Sequence, residues 1–165
     1  MGNVVYLFKG GDKMHKEISV FDVASTLLTF EKMTNKKLQK LCYYAQAWHL
    51  AVFKEPLFGE KFEAWVHGPV CRELYGVYKV YGWNDITQSH MGSVICDEEK
   101  LEFLEMIHDT YEDFDGDELE ALTHSELPWQ EARKGLEEWE PSNELISEET
   151  MKTFYWNIYE QAQND

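Results

Sequence analysis

The sequence predicts a mainly α fold, a compact single-domain helical bundle with a short strand or hairpin before a Gly-Pro corner. The chain has 165 residues, of which 44% are hydrophobic, enough for one core. Apolar residues recur at the helical period over residues 34–53 and again over 147–162. Between these two helices, residues 61–66 alternate apolar and polar side chains, which favours a strand.

The two N-terminal helices have clear start signals. Ser19 or Asp22 can cap a first helix that runs to about Lys32, and Thr34 or Asn35 can cap the long second helix. A capping side chain accepts a hydrogen bond from a backbone N–H that the helix leaves unpaired.

The sequence predicts that the chain has two parts, an N-terminal arm or strand and a helical domain. Residues 1–17 form an N-terminal arm or an edge strand, because residues 4–8 are β-prone. Residues 18–165 form the helical domain, which holds every strong helical pattern of the chain.

The Gly68-Pro69 pair marks a corner after the predicted strand. Proline fixes φ and has no N–H, so we expect Pro69 to open a helix that continues to Tyr81 and stops at Gly82. Residues 83–94 are expected to be irregular, with possible hairpin character. Further helices are predicted over residues 97–114, 116–123 and 147–162, and a segment that Pro128 opens continues to about Trp139.

The net charge of −16 is unevenly distributed along the chain. Residues 1–95 hold 11 basic and 9 acidic residues, whereas residues 96–165 hold 4 basic and 22 acidic residues. A carboxylate-rich half repels phosphate, so direct nucleic-acid binding is disfavoured and a basic protein partner is favoured. The alternative is a solvated face that serves solubility.

Three cysteines, Cys42, Cys71 and Cys96, are widely spaced and form no C-x-x-C pair. They indicate reduced thiols in a cytoplasmic protein, and no apolar run is long enough to span a membrane. Cys42 with His49 and Cys71 with His67 are the nearest approach to ligand pairs, but neither has a second local ligand. We therefore predict no metal site, no cofactor, no catalytic residues and no enzymatic activity, since common nucleotide and hydrolase motifs are missing.

Several aromatic and polar side chains around the corner have both a structural and a binding interpretation. Trp65 can fill the core, and His67 can pin the turn through a backbone carbonyl, or both can anchor a partner from an exposed patch. Trp129 can dock its segment onto the corner. In the second helix, Lys37 and Lys40 are expected to form a polar edge beside two tyrosines.

Five ordered blocks of this sequence closely resemble the Panacea antitoxin domain family, which includes SocA-like and phage-associated GepA-like proteins. The resemblance extends from about residue 20 to residue 133, and it leaves the first 17 residues and the C-terminal helix outside. The blocks are Lys37-Leu38-Gln39-Lys40-Leu41; Tyr43-Tyr44-Ala45-Gln46 with Trp48; Pro56-Leu57-Phe58; Phe62-Glu63-Ala64-Trp65 with His67-Gly68-Pro69-Val70; and Leu122-Thr123-His124 with Pro128-Trp129.

The resemblance implies an antitoxin, bacterial or phage-encoded, that neutralises a cognate protein toxin by direct binding. The toxin is expected to be basic and encoded nearby. An adaptor that delivers the toxin to a protease is an alternative; a DNA-mimic inhibitor and an enzyme of unrecognised class are others. The candidate toxin-binding residues are Lys37, Lys40, Tyr43, Tyr44, Trp65, His67, Glu73, Tyr75, His124 and Trp129, with Gly68 and Pro69 as the structural corner.

Overall fold

The computed structural model describes residues 17–165, and the predicted strand or arm at the N-terminus lies almost wholly outside them. Seven helices and a two-stranded antiparallel sheet make up the described part, which confirms the mainly α fold with a small β element. In chain order they are α1 (Val20–Phe30), α2 (Asn35–Phe53), β1 (Glu63–Trp65), β2 (Gly68–Val70), α3 (Arg72–Tyr78), α4 (Glu98–Tyr111), α5 (Gly116–His124), α6 (Leu127–Ala132) and α7 (Glu148–Asn164). No helix in this part is long and apolar enough to cross a membrane.

Helix α2 lies at the centre of the molecule and packs against α1, α4, α5, α7 and the hairpin. Its side chains are buried on every face from Lys37 to Ala51, as expected for a helix that neighbours surround. Thr34 is its N-cap and accepts a hydrogen bond from the backbone N–H of Lys37 at 3.2 Å. The helix ends at Phe53, and its C-cap Lys54 has a left-handed φ of 64°.

Helix α1 begins at a capping box, and this selects Ser19 over Asp22 as the cap. The Ser19 hydroxyl accepts from the backbone N–H of Asp22 at 3.2 Å, and the Asp22 carboxylate accepts from the backbone N–H of Ser19 at 3.0 Å. The helix ends two residues before the predicted Lys32.

The Gly-Pro pair lies inside the second strand, so the prediction that Pro69 opens a helix is wrong. Strands β1 and β2 form a hairpin in which Ala64 faces Pro69 and Trp65 faces Gly68. The sheet needs no N–H from Pro69, because the carbonyl oxygen of Ala64 opposite it accepts instead from the Arg133 guanidinium at 2.9 Å.

Helix α3 accordingly starts at Arg72 and is shorter than predicted. A 3₁₀ turn follows at Lys79–Tyr81, and Gly82 ends it with a φ of 56°. Residues 83–94, all of which the structure describes, contain no hairpin. The segment is attached instead through the backbone N–H of Ile86, which donates to Met33 at 2.8 Å.

Within the segment that Pro128 opens, helix α6 ends at Ala132, and the chain then turns around the buried side chain of Arg133. Its guanidinium donates to the carbonyl oxygens of Glu137, Glu138 and Glu140 at 3.1, 3.3 and 2.6 Å. It also donates to the carbonyl oxygen of Ala64 at 2.9 Å. This side chain therefore joins the loop after α6 to the hairpin.

Candidate partner-binding groove

An open groove of about 340 Å³ lies between the start of α2, the hairpin and α3. Its lining combines aromatic and basic side chains, and no carboxylate-bearing residue belongs to it. The lining residues are Thr34, Asn35, Lys36, Gln39, Lys40, Trp65, His67, Val70, Tyr75, Lys79, Gly82 and Trp83. We call the surface that these residues line the groove.

Aromatic side chains form one wall of the groove. The rings of Trp65 and Tyr75 meet edge to face with centroids 4.9 Å apart. Trp65 is half-buried, so it is neither fully in the core nor fully on the surface. Trp83 is the most exposed, at 82%. Exposed aromatic side chains grouped in one concavity are typical of protein-binding surfaces.

The ion pair between Arg72 and Glu63 supports this wall from outside the groove. The guanidinium donates two hydrogen bonds to the carboxylate, at 2.8 and 2.7 Å, and lies 5.6 Å from the centre of the Trp65 ring. These hydrogen bonds lower the pKa of Glu63 despite partial burial. The bidentate geometry fixes the side chain next to Trp65.

His67 lies at the tip of the hairpin and is 71% exposed as a side chain. Its Nδ1 atom is 2.6 Å from Oε1 of Glu120, so it pairs with a carboxylate and not with a backbone carbonyl as the structural interpretation expected. Lys36 donates to the same Glu120 and to Asp117, both at 2.6 Å. Burial opposes ionisation of Glu120, but the hydrogen bonds from Lys36 and His67 outweigh it and lower its pKa.

Lys40 is buried, which contradicts the expectation of a polar edge. Only 1% of the residue is exposed, and its amine donates to the carbonyl oxygen of Pro69 at 3.2 Å. Burial lowers the pKa of Lys40 to about 7, an effect that Glu120 opposes and Lys36 reinforces. The hairpin covers this side chain, so it can meet a partner only through the groove.

Lys37 is also buried, and it points away from the groove. Its amine forms an ion pair with Glu31 at 2.8 Å and donates to the carbonyl oxygen of Glu112 at 2.9 Å. The residue is 8% exposed, so the predicted solvated edge of α2 is wrong here as well. These contacts join α2 to the ends of α1 and α4.

Tyr43 and Tyr44 lie in the core, where they belong to a hydrogen-bonded network. Tyr44 and Tyr155 both donate to Oε1 of Glu126, at 2.6 and 3.0 Å, and the hydroxyl groups of Tyr43 and Tyr155 are 3.1 Å apart. Burial raises the pKa of each tyrosine far above its ordinary value. These two predicted binding residues therefore have no surface from which to contact a partner.

His124 and Trp129 support the hairpin from below. Their rings stack with centroids 3.8 Å apart, and the indole N–H of Trp129 donates to the carbonyl oxygen of Trp65 at 2.9 Å. This contact confirms that Trp129 docks its segment onto the hairpin. Burial lowers the pKa of His124, which is half-buried.

Of the predicted binding residues, Lys40, Trp65, His67 and Tyr75 line the groove. Glu73 is exposed on α3, where its carboxylate accepts from the Cys71 thiol at 3.2 Å, and it does not line the groove. Sequence reasoning missed Lys36, Lys79 and Trp83. A large aromatic residue directly after Gly82, where a helix must stop, was the available signal for the last of these.

Members of the two cysteine–histidine pairs, Cys42 with His49 and Cys71 with His67, make other contacts in the structure. His49 donates from Nδ1 to the carbonyl oxygen of Glu55 at 2.7 Å, and its Nε2 accepts from Lys100 at 2.7 Å. Burial and Lys100 lower the pKa of His49 to about 4, while burial raises the pKa of Cys71 to about 12. Both groups are therefore neutral near pH 7.

One group within residues 17–165 places three possible metal-ligand atoms within 4.8 Å of one another. It consists of His108, Asp109 and Glu112 on α4, and its two carboxylates are exposed. Exposed acidic side chains on one helix face are ordinary for so acidic a chain, and the group lies outside the groove.

Comparison with protein-family models gives a match to the family described as Antitoxin SocA-like, Panacea domain, over residues 38–130. The matched segment is more than half of the chain and includes most of α2, the hairpin, and helices α3 to α5. Searches of curated proteins and of solved structures gave no match. On the strength of the family match, the chain belongs to the SocA-like antitoxin family with a Panacea domain.

Proposed function

We propose that this protein is an antitoxin that neutralises a cognate protein toxin by binding it directly, and that the groove is part of the binding surface. Membership of an antitoxin family supports the role. The single structural observation that carries the proposal is the grouping of Trp65, Tyr75 and Trp83 in one concavity beside the exposed His67.

The energetics of protein interfaces favour such a site. A few aromatic anchors near the centre of an interface supply most of the binding free energy, with truncations that cost about 2 kcal/mol or more. Trp83 and Tyr75 expose 82% and 37% of their surface, so a partner can cover them and remove that area from water. Glu73, on the outer side of α3, would lie at the rim of the covered area.

The charge distribution supports a basic toxin. The segment from residue 96 onwards has a net charge of −18, whereas the preceding part has a net charge of +2. A basic toxin would be attracted towards the acidic half over distances of about 10 Å at moderate salt. The groove would then provide the close contacts that fix its position.

Co-expression with a toxin encoded beside this chain tests the proposal. We expect the toxin alone to arrest growth, and co-expression of this chain to restore growth and to yield a complex that purifies in fixed stoichiometry. Trp83→Ala should weaken both effects. Trp139→Ala is the matched control, because that tryptophan is 73% exposed and lies outside the groove. Rescue by trace amounts of this chain without a complex would contradict binding as the mechanism.

A further inference from the structure

The charge of the groove is opposite to that of the molecule. The chain has 31 acidic and 15 basic residues, yet the groove is lined by three lysines and a histidine and by no carboxylate. Residues 1–95, which supply the whole lining, hold 11 basic and 9 acidic residues, so a lining with three lysines and no acidic residue is enriched in positive charge even against this part of the chain. The lining of the groove is therefore rich in basic side chains on a protein whose net charge is negative.

The lysines of the groove differ in how far they are already neutralised. Lys36 is paired with Asp117 and Glu120, so its charge is largely balanced. Lys79 is exposed and has no ion pair among residues 17–165. Lys40 has the carbonyl oxygen of Pro69 as its acceptor, which leaves further N–H capacity on the amine. Lys79 is thus the exposed cation available to a ligand, and the buried Lys40 amine adds a hydrogen-bond donor at the groove.

Asn35 adds a requirement for a hydrogen-bond donor. It lines the groove, and its Oδ1 atom is buried without a hydrogen-bond partner within the described part of the chain. An unpaired buried acceptor of this kind costs about 1–3 kcal/mol. A rotation of the amide towards the groove would let a backbone N–H of a bound peptide satisfy it.

We propose that the groove binds a segment of the toxin that carries an aspartate or glutamate beside a large apolar side chain. The carboxylate pairs with Lys79 and accepts a hydrogen bond from the Lys40 amine, and the apolar side chain packs against Trp65, Tyr75 and Trp83. This inference rests on the proposed function and specifies the chemistry of the docking segment. A nucleic-acid strand is disfavoured because its many phosphates would be repelled by the net charge of −16, whereas a single carboxylate on a basic toxin is not.

Charge reversal at Lys79 tests the carboxylate contact with the intact toxin. Lys79→Glu should weaken binding about tenfold or more, since it replaces an attraction by a repulsion. Lys134→Glu is the control, because it makes the same change at an exposed lysine outside the groove. It should leave the dissociation constant within about twofold of the wild-type value.

A second arm changes the toxin. The exposed aspartates and glutamates of the toxin are replaced by lysine one at a time. We expect one of these toxin variants to bind the Lys79→Glu protein more tightly than it binds the wild-type protein. Single-stranded oligothymidylate serves as the probe for nucleic acid and should not bind.

The outcomes separate this inference from the proposed function. If the toxin binds wild-type, Lys79→Glu and Lys134→Glu proteins equally, the acidic docking segment is wrong while the antitoxin function stands. Oligothymidylate binding that Lys79→Glu abolishes would also overturn the inference. If no protein encoded nearby binds this chain, both proposals fail.

Discussion

The Cε atom of Lys40 lies 2.5 Å from the position that a Cβ atom on Gly68 would occupy. A side chain at residue 68 would therefore displace the end of the Lys40 side chain. Gly68 also has a φ of 104°, which residues with a side chain rarely adopt. The close approach of Lys40 and the positive φ thus both favour glycine at this position beside the groove.

Gly68→Ala should lower the free energy of unfolding by about 1–3 kcal/mol, because the backbone is strained and the new methyl group meets Lys40. Chemical denaturation followed by tryptophan fluorescence measures the change. Gly76→Ala is the control, since residue 76 lies in α3 and nothing lies within 4 Å of the added Cβ. That variant should be as stable as the wild type or more stable. Equal stability of Gly68→Ala and wild type would contradict the close packing.

Lys40 should make stability depend on pH above neutrality. Its pKa is about 7 in the fold and 10.5 as the ordinary value, so between these the unfolded chain holds more protons and stability rises with pH. Lys40→Met removes the titrating group. In this variant the rise in the free energy of unfolding from pH 7 to pH 9 should be smaller than in the wild type by about 2 kcal/mol. Glu120 opposes this effect and Lys36 reinforces it, so both side chains are kept unchanged. Parallel pH profiles of the two proteins would show that Lys40 is not buried.

Glu126 should have the opposite effect on the pH dependence. Burial raises its pKa above the ordinary value, although hydrogen bonds from Tyr44 and Tyr155 oppose this. Its contribution to stability is therefore complete below pH 4.5 and falls as the pH rises through the raised pKa. Glu126→Gln keeps an oxygen to which both tyrosines can donate. The difference in free energy of unfolding between this variant and the wild type should favour the variant more at pH 7 than at pH 4.

Removal of the Glu126 carboxylate as a hydrogen-bond acceptor should lower stability. Glu126→Ala leaves two buried hydroxyl groups without their shared partner, so the free energy of unfolding should fall by about 1–3 kcal/mol. Thermal melts of the Gln and Ala variants at the two pH values measure both effects. A glutamine variant as unstable as the alanine variant would show that the carboxylate charge itself is required.

The helices could be predicted well from sequence because their signals are local. The apolar repeat of α2 and the cap at Thr34 need only neighbouring residues, and both were found. The Gly-Pro corner was recognised as a chain reversal, but its assignment to a helix start was wrong. Ala64, which faces Pro69 in the hairpin, also donates its backbone N–H to Glu144, 80 residues away, and no local pattern reports such a contact.

The groove was predicted only in part, for the same physical reason. Trp65, His67 and Tyr75 were selected as candidates, and they line it. Lys40 was expected in solvent because lysine is rarely buried, and its burial follows from the hairpin that packs over α2. Trp83 lies on a loop whose position depends on the contact between Ile86 and Met33. Such long-range contacts decide which side chains meet in a surface site.

Isothermal titration calorimetry of the purified toxin with this protein tests the central claim most directly. We predict binding at a fixed molar ratio. The double variant Tyr75→Ala/Trp83→Ala should reduce the affinity at least tenfold, which is a loss of about 1.4 kcal/mol or more in binding free energy, and Trp139→Ala should leave the affinity unchanged. Circular dichroism confirms that each variant is folded. Undiminished affinity in the folded double variant would contradict the groove as the binding surface, and absence of saturable binding by the wild type would contradict neutralisation by direct contact.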